Sequence, residues 1–161
     1  MTAQIVIRPG TAGDVEEVLM LEREVAEAPH WSRAEYEAMI PQADERGGVL
    51  RCLMVAEVEG RLAGFAAGKV VIAAESGELE SVAVRRAARR IGVGMRLCQA
   101  VIDWCKLQGA TSIELEVRSA SFGAKRLYER VGFVAEGVRK AYYREPEDDA
   151  VLMRLDLGKC G

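Results

Sequence analysis

One stretch of the chain decides the fold, the sequence VAVRRAARRIGVGM at residues 82–95. It runs from an apolar strand through an arginine-rich turn into a helix, and Gly92 and Gly94 lie at the turn. A helix N-terminus offers free N–H groups and a partial positive charge, and glycines there let a phosphate approach those amides. The spacing alone leaves two interpretations open: a phosphate-binding turn, or a flexible turn with a solvated basic face.

The positive charge of this stretch contrasts with the rest of the chain. The 161 residues include 22 Lys and Arg against 25 Asp and Glu, which gives a net charge of -3. Residues 85–96 nevertheless carry a cluster of arginines, namely Arg85, Arg86, Arg89, Arg90 and Arg96. The mild overall acidity argues against a protein whose main partner is nucleic acid, while the local excess of guanidinium groups favours a bound phosphate.

Working outward from this stretch, hydrophobic periodicity and turn signals predict the order β-α-α-β-β-β-α-β-α-β-β. Strands are predicted at 4–8, 51–58, 62–72, 79–84, 113–117, 133–143 and 150–157. Helices are predicted from Ala12, from Arg33 towards Ala43, between Gly94 and Gly109, and from Ser121 through Arg130. An acidic loop at residues 145–149 is expected between the last two strands.

This order indicates an α/β class (an α+β mixed sheet) in a single domain spanning residues 1–161. The strands at 79–84 and 113–117 flank a helix, so we expect them to be parallel neighbours. No apolar run approaches the roughly 18 residues of a membrane span, and no signal peptide is evident. We therefore expect a soluble, cytoplasmic protein that does not bind a membrane.

The cysteines and the single histidine do not indicate a metal site. Cys52, Cys98, Cys105 and Cys160 form no CxxC pair, and His30 stands alone in a Pro-His-Trp-Ser turn. Cys98 and Cys105 are seven residues apart and share a helix face, which is typical of a reduced core pair. We expect no metal and no histidine-based nucleophile.

The motif R-x-x-G-x-G at residues 89–94, following the strand Val82–Val84, resembles the acyl-coenzyme A signature of the GNAT N-acetyltransferases. The resemblance implies the GNAT fold from Ile5 to Leu157, acetyl-coenzyme A as cosubstrate, and pantetheine lying along the strand like an added strand. It also implies a set of residues that contact the cofactor, namely Val82, Ala83, Val84, Arg89, Arg90, Ile91, Gly92, Val93, Gly94, Met95 and Ser121.

Four further motifs resemble the ribosomal-protein alanine N-acetyltransferases within that superfamily. They are WS at 31–32, LEVR at 115–118, RLYERVGF at 126–133 and VRKAYY at 138–143. This resemblance implies acetylation of a protein N-terminus, such as that of a ribosomal protein. It implies Glu116 as general base and Tyr128 as general acid, with the acceptor bound by Trp31, Ser32, Arg139 and Tyr142.

Residue chemistry is compatible with these roles. An amine attacks a thioester only when it is neutral, so a carboxylate base suits an α-amino group whose pKa is near 8. A phenol can protonate a departing thiolate, and a free backbone N–H near Val82 can polarise the acetyl carbonyl. From the pattern alone, Glu116 also fits a solvated strand position, Tyr128 fits helix packing, and Trp31 fits a partly exposed anchor.

Three positions depart from the family pattern. Ser121 stands where the family commonly has Asn, Arg86 stands where a proline is usual, and His30 intervenes between Pro29 and Trp31. Two alternatives therefore stay open beside transfer to a protein N-terminus. One is the same chemistry on a free amino acid or small amine, and the other is a non-catalytic module that binds anions or nucleic acid. The sequence predicts no oligomeric state.

Overall fold

A seven-stranded mixed sheet forms the centre of the computed structural model, which describes residues 4–25, 31–40, 47–144 and 146–158. Its strands are β1 (Ile5–Pro9), β2 (Val49–Val58), β3 (Arg61–Val71), β4 (Ser76–Val84), β5 (Ser112–Arg118), β6 (Val134–Arg144) and β7 (Glu147–Asp156). They lie in the order β1-β2-β3-β4-β5-β7-β6, and β4 and β5 are the parallel pair. The predicted fold class and the parallel pairing are confirmed.

Within the described residues, the helices are α1 (Val15–Glu24), α2 (Arg33–Glu37), α3 (Val93–Leu107) and α4 (Phe122–Arg130). Short 3-10 turns occupy Ala12–Asp14, Ile72–Ala74 and Arg86–Ala88. Helix α1 therefore begins later than the sequence predicts, because Thr11 and Asp14 cap a 3-10 turn that precedes it. Helix α2 begins at the predicted capping box of Ser32 and Glu35 but ends at Glu37, well before Ala43. Residues 41–46 lie outside the described part of the chain.

The two faces of the sheet are covered by different helices. Helix α3 packs on one face through the predicted stripe of Leu97, Cys98, Val101, Ile102 and Cys105, and we call this cluster the α3-side core. Helices α1 and α2 cover part of the other face, where Val18, Leu21, Tyr36, Leu53 and Phe65 belong to what we call the α1-side core. Cys98 and Cys105 are buried and not disulfide-bonded, as expected. Cys160 and His30 lie outside the described residues.

Helix α3 lies unusually close to β3. A Cβ atom added at Gly68 would be 2.5 Å from Cγ1 of Val101, which no side chain tolerates without movement. The absence of a side chain at Gly68 therefore sets the distance between α3 and the sheet, and with it the position of the N-terminus of α3.

Strands β4 and β5 pair over a short distance and then separate. The register joins Ser76 with Ser112 and ends at Glu78 with Glu114. Beyond that point β4 continues to Val84 paired only with β3 among the described strands, whereas β5 continues to Arg118 paired with β7. The edge of β4 that faces β5 is therefore unpaired from Leu79 onward. Strand β4 begins at Ser76, where the sequence predicts a turn, because Ser76–Glu78 pair with strands on both sides.

The acidic loop predicted at residues 145–149 is wrong for its last three residues, and Glu145 lies outside the described residues. Glu147, Asp148 and Asp149 belong to β7, where Glu147 pairs with Arg144 and Asp148 with Tyr143. Between that pairing and the next, of Arg139 with Ala150, residues 140–142 face the single residue Asp149. The carboxylate of Asp149 fills this bulge by accepting hydrogen bonds from the backbone N–H of Ala141 (2.8 Å) and from Nζ of Lys140 (3.3 Å). Asp149 is tolerated in this strand because the bulge gives its carboxylate two donors.

Two features, a membrane-spanning helix and a metal-binding cluster, are missing from the part of the chain that the structure describes. Helices long and apolar enough to cross a membrane are absent from the described segments. Those segments also contain no group of three or more His, Cys, Asp or Glu side chains placed to hold a metal ion.

Candidate active site

The N-terminus of α3 forms the turn that the sequence singles out. Gly92 is the N-cap with φ +92°, so Val93, Gly94 and Met95 form the first helical turn. The helix starts two residues earlier than predicted. The N–H groups of this turn have no acceptor within the helix, because the first intrahelical bond comes from the N–H of Arg96 to the carbonyl of Gly92 (3.1 Å). Open space surrounds the Cα of Gly92, since an added Cβ would meet nothing within 4 Å.

The arginines around this turn divide into two groups. Three donate to backbone carbonyls: Arg85 Nε to Leu62 (3.3 Å), Arg89 Nε to Val84 (3.3 Å) and Arg96 Nη1 to Ile5 (2.6 Å). Arg86 and Arg90 are exposed and have no such bond within the described chain. The first group braces the turn against β1, β3 and β4, and the second is available to a phosphate. Part of the arginine cluster therefore stabilises the fold, and the exposed part can bind a ligand.

Strand β4 presents its unpaired edge beside this turn. Val82 and Val84 pack their side chains partly against the α3-side core, and Ala83 is buried in the α1-side core. Their backbone groups on the β5 side lack a strand partner, although the carbonyl of Val84 accepts the bond from Arg89. An unpaired strand edge next to free helix amides suits an extended ligand that ends in phosphates. The observed unpaired edge and turn thus fit acetyl-coenzyme A.

Glu116 projects from β5 on the face opposite α3. The pairing of β5 with β4 ends at Glu114, and Glu116 is the next residue along β5 whose side chain lies on the same face. Its Oε1 lies 3.6 Å from Nη1 of Arg139, and its side chain is 31% exposed. The nearby Glu116 carboxylate is the main cause that raises the pKa of the Tyr142 hydroxyl. The structure therefore brings together three of the predicted site residues, Glu116, Arg139 and Tyr142.

The bulge in β6 explains how Arg139 and Tyr142 reach the same carboxylate. Ala141 adopts φ +50°, a left-handed conformation that a side chain rarely takes, and its N–H is held by Asp149. This bend re-aims the side chains on either side of it, and the Arg139 guanidinium lies 5.5 Å from the centre of the Tyr142 ring. Asp149 is a site residue that sequence reasoning missed, because only the register of β6 and β7 reveals it.

A pocket of about 240 Å³ opens beside Glu116 on this face of the sheet. Its charged lining residues are Lys69, Glu78, Glu114, Glu116, Glu136 and Arg139. The carboxylates outnumber the cations, and both cations are paired: Lys69 lies 3.2 Å from Glu78, and Arg139 contacts Glu116. Such a pocket favours a cationic ligand. Glu78 and Glu136 were not predicted. Strand alternation places Glu78 on the face of Glu114, but only the strand order makes the two neighbours.

Tyr128 and Ser121 lie on the opposite side of the sheet from Glu116. Tyr128 is half-buried in α4, packs against the α3-side core, and has its ring centre 6.1 Å from that of Phe133. Ser121 is the buried N-cap residue of α4, although its side chain makes no capping bond. Helix α4 borders the glycine turn, since a Cβ added at Gly94 would lie 3.1 Å from Cδ2 of Leu127.

Trp31 and Ser32 form the start of α2, at the edge of the α1-side core. Ser32 is exposed and accepts the backbone N–H of Glu35 in the predicted capping box (3.2 Å). The Trp31 ring lies 5.3 Å from the guanidinium carbon of Arg51, which also donates two hydrogen bonds of 3.1 Å to Glu80 in β4. Neither Trp31 nor Ser32 lines the pocket beside Glu116. Trp31 is linked to it through Arg51, whose partner in the sheet register is the pocket residue Lys69.

The chain matches one protein family over most of its length. Residues 14–133 match the profile of the acetyltransferase (GNAT) family. This range includes the glycine turn, β4, Glu116 and Tyr128.

Individual relatives agree with that match. The chain is 33% identical, over 100 residues, to the [ribosomal protein bS18]-alanine N-acetyltransferase of Escherichia coli (strain K12), a region that covers 61% of this chain and 66% of the relative. It is similar to the crystal structure of the ribosomal-protein-S18-alanine N-acetyltransferase from Escherichia coli, with a TM-score of 0.79 and 26% identity over 98% of this chain and 97% of that one. A phosphinothricin acetyltransferase from Sinorhizobium meliloti in complex with acetyl-coenzyme A shares the fold, with a TM-score of 0.79 and 23% identity over 98% and 90% of the two chains.

Proposed function

The chain belongs to the GNAT family of acetyl-coenzyme A-dependent N-acetyltransferases, and we propose that it acetylates the N-terminal α-amino group of a protein. In this proposal Glu116 is the general base and Tyr128 the general acid. The resemblance to the family, seen in residues 89–94, and the assignment of acetyl-coenzyme A as cosubstrate are confirmed by the family match.

One observation carries the assignment of Glu116. Four carboxylates line the pocket, but Glu116 lies on β5 just past the last residue paired with β4. In this proposal the acyl group enters where the two strands separate, so the base must lie at that point. Glu78 and Glu114 lie within the paired region, before the strands separate.

The cofactor would be held by residues that the sequence nominated. The unpaired edge of β4 at Val82, Ala83 and Val84 offers its backbone to pantetheine. The turn from Arg89 to Met95 offers amides and guanidinium groups to the pyrophosphate, and in this proposal Ser121 contacts pantetheine. Acetyl-coenzyme A supplies a thioester carbonyl carbon for the amine to attack, and coenzyme A leaves as a thiolate when the C–S bond breaks.

The two proposed catalytic side chains approach the opening from opposite faces of the sheet. The Glu116 carboxylate accepts a proton from the acceptor amine, which makes the amine nucleophilic. The Tyr128 hydroxyl holds a proton on the side of α3 and α4 and donates it to the departing sulfur.

The acceptor is assigned from the charge of the pocket and from its relatives. The pocket has more carboxylates than cations, and both cations are paired. Such a pocket suits an ammonium group that has no carboxylate beside it, as at a protein N-terminus. A free amino acid would bring its own carboxylate next to Glu116 and Glu136. The Escherichia coli relative is named for acetylation of a ribosomal protein alanine. We therefore extend the proposal to a ribosomal protein as acceptor and to the cytoplasm as the place of the reaction. Arg139, Tyr142, Trp31 and Ser32 would contact that acceptor.

A panel of acceptors read by mass spectrometry tests this function. It contains short peptides that begin with Ala, Ser or Gly, the same peptides blocked at the N-terminus but carrying an internal Lys, and free amino acids. We expect one acetyl group on the unblocked peptides and none on the blocked ones, since the lysine pKa is about two units higher. A preference for free amino acids over every peptide would overturn the assignment.

A further inference from the structure

Helix α1 buries a carboxylate that the proposed chemistry does not use. Glu22 is 2% exposed and lies on the helix face that packs into the α1-side core, beside Val18 and Leu21. An ionised carboxylate loses its hydration in such a place and must be compensated by hydrogen bonds. For fold stability alone an apolar residue would suit this position, so Glu22 calls for another explanation.

The hydrogen bond that Glu22 makes is directed at the start of α2. Its Oε1 accepts the backbone N–H of Trp31 at 2.5 Å. This N–H immediately precedes Ser32, the N-cap of α2. Among the described residues Glu22 forms no ion pair, so the bond to Trp31 is the main visible use of its charge.

A second buried polar group faces the same carboxylate. Tyr36 is fully buried, and its hydroxyl completes no hydrogen bond within the described chain. Burial first, and then the nearby Glu22 carboxylate, raises the pKa of Tyr36. The Tyr36 ring also packs against Trp31, with 5.6 Å between ring centres. Trp31 is therefore held by Glu22 through its backbone and by Tyr36 through its ring.

Trp31 in turn touches the network that reaches the pocket. Its ring lies against Arg51, which is bound to Glu80 in β4 and is the register partner of Lys69 in the pocket lining. A shift of Trp31 would therefore move the edge of the face on which the acceptor is proposed to bind. The contact chain reaches β4 only at Glu80, so the glycine turn and Val82–Val84, which are proposed to hold acetyl-coenzyme A, are not part of it.

We propose that Glu22 is a positioning residue for the acceptor: its buried carboxylate fixes Trp31 and the first turn of α2 at the rim of the acceptor face. This inference rests on the proposed function, because it assumes that the acceptor binds on this face. Glu22 contacts neither substrate, and its effect is confined to acceptor binding.

Three variants test the role. Glu22→Leu removes the acceptor of the Trp31 N–H, Glu22→Gln keeps an oxygen in the same place, and Tyr36→Phe removes only the buried hydroxyl. We expect Glu22→Leu to raise KM for the Ala-initiated peptide about tenfold, the size of a lost hydrogen bond to a charged group, with kcat and the Kd of acetyl-coenzyme A unchanged. The other two variants should keep the wild-type KM. An unchanged KM in Glu22→Leu overturns the proposal, as does a loss of acetyl-coenzyme A affinity or of folding in that variant.

A readout that needs no acceptor separates this proposal from the proposed function. The chain has two tryptophans, so Trp104→Phe leaves Trp31 as the only one. In that background we expect Glu22→Leu to expose Trp31 to acrylamide quenching and Glu22→Gln to leave quenching unchanged. If the wild type acetylates no peptide, the proposed function fails while this comparison still decides whether Glu22 holds Trp31. Equal quenching in all variants overturns the positioning role.

Discussion

Arg139 and Glu116 face each other on neighbouring parts of the sheet, with 3.6 Å between Nη1 and Oε1. Strand β7 lies between β5 and β6, so the contact reaches across it and depends on the bulge that Asp149 holds in β6. Arg139 is 57% exposed, so the ion pair itself contributes about 1 kcal/mol or less to stability. Its consequence is geometric: it fixes the carboxylate at the point where β4 and β5 separate.

Tyr142→Phe tests whether the second contact of Glu116 matters. The variant removes the hydroxyl whose pKa the nearby Glu116 carboxylate raises. We expect kcat/KM for the Ala-initiated peptide to fall about tenfold if the hydroxyl donates a hydrogen bond to this carboxylate in the reacting complex. The matched control is Tyr36→Phe, because the Tyr36 hydroxyl is buried in the α1-side core and completes no hydrogen bond within the described chain. Equal losses in the two variants would show that the effect is not specific to Glu116.

Acetyl-coenzyme A should stabilise the protein, and Arg90 should contribute to its affinity. A ligand at a hundredfold excess over its Kd adds about 2.7 kcal/mol to the free energy of unfolding, which raises Tm measurably. Arg90→Gln should weaken the affinity about threefold to tenfold, because a charge-assisted contact to phosphate is lost. Arg61→Gln, an exposed arginine at the start of β3, is the control. If both variants bind like the wild type by calorimetry, Arg90 does not contact the cofactor.

Gly68→Ala tests the close approach of α3 to β3. The added Cβ would lie 2.5 Å from Cγ1 of Val101, so we expect a loss of about 1–3 kcal/mol in urea unfolding. The control is Gly123→Ala in α4, where an added Cβ meets nothing within 4 Å and helix propensity should raise stability by about 0.5–1 kcal/mol. A stable Gly68→Ala variant would mean that α3 lies further from the sheet.

The ion pair of Arg8 with Asp14 gives stability a specific pH dependence. Arg8 donates to both Asp14 oxygens (2.7 and 2.9 Å), and its hydrogen bond is the main cause that lowers the Asp14 pKa from 3.8 to about 2. Because the folded pKa lies below the unfolded one, the contribution is complete above pH 3.8 and is lost as pH falls towards 2. Asp14→Asn should therefore cost about 2 kcal/mol in urea unfolding at pH 6 and less at pH 3. A difference that does not change between these pH values would contradict this account.

Much of the fold could be predicted from the chain itself, for identifiable reasons. The alternation of Ile113, Leu115 and Val117 with polar residues predicts β5, and the apolar stripe from Leu97 to Cys105 predicts α3. Both predictions hold because each periodic pattern continues without interruption along the element. The prediction was wrong for the acidic residues at 147–149. Their place in β7 depends on a bulge and a side-chain bond to the backbone of Ala141, which no periodicity encodes.

The candidate site was predictable to the extent that it follows local motifs. Residues 89–94 identified the turn at α3, but not that Arg85, Arg89 and Arg96 bond to backbone carbonyls of distant segments. Glu116, Arg139 and Tyr142 were named separately, and their contact depends on the order of β5, β7 and β6. The roles of Glu116 and Tyr128 stay predictions, and so does the place of Trp31 and Ser32 at the acceptor.

The most direct measurement compares Glu116→Gln with Glu114→Gln in acetyl transfer to the Ala-initiated peptide. The two carboxylates share one face of β5, but only Glu116 lies beyond the pairing with β4. We expect Glu116→Gln to lower kcat about 10²–10⁴-fold with the Kd of acetyl-coenzyme A unchanged, and Glu114→Gln to keep the wild-type rate. An undiminished rate in Glu116→Gln, with acetyl-coenzyme A still bound, would contradict the assignment of Glu116 as the base.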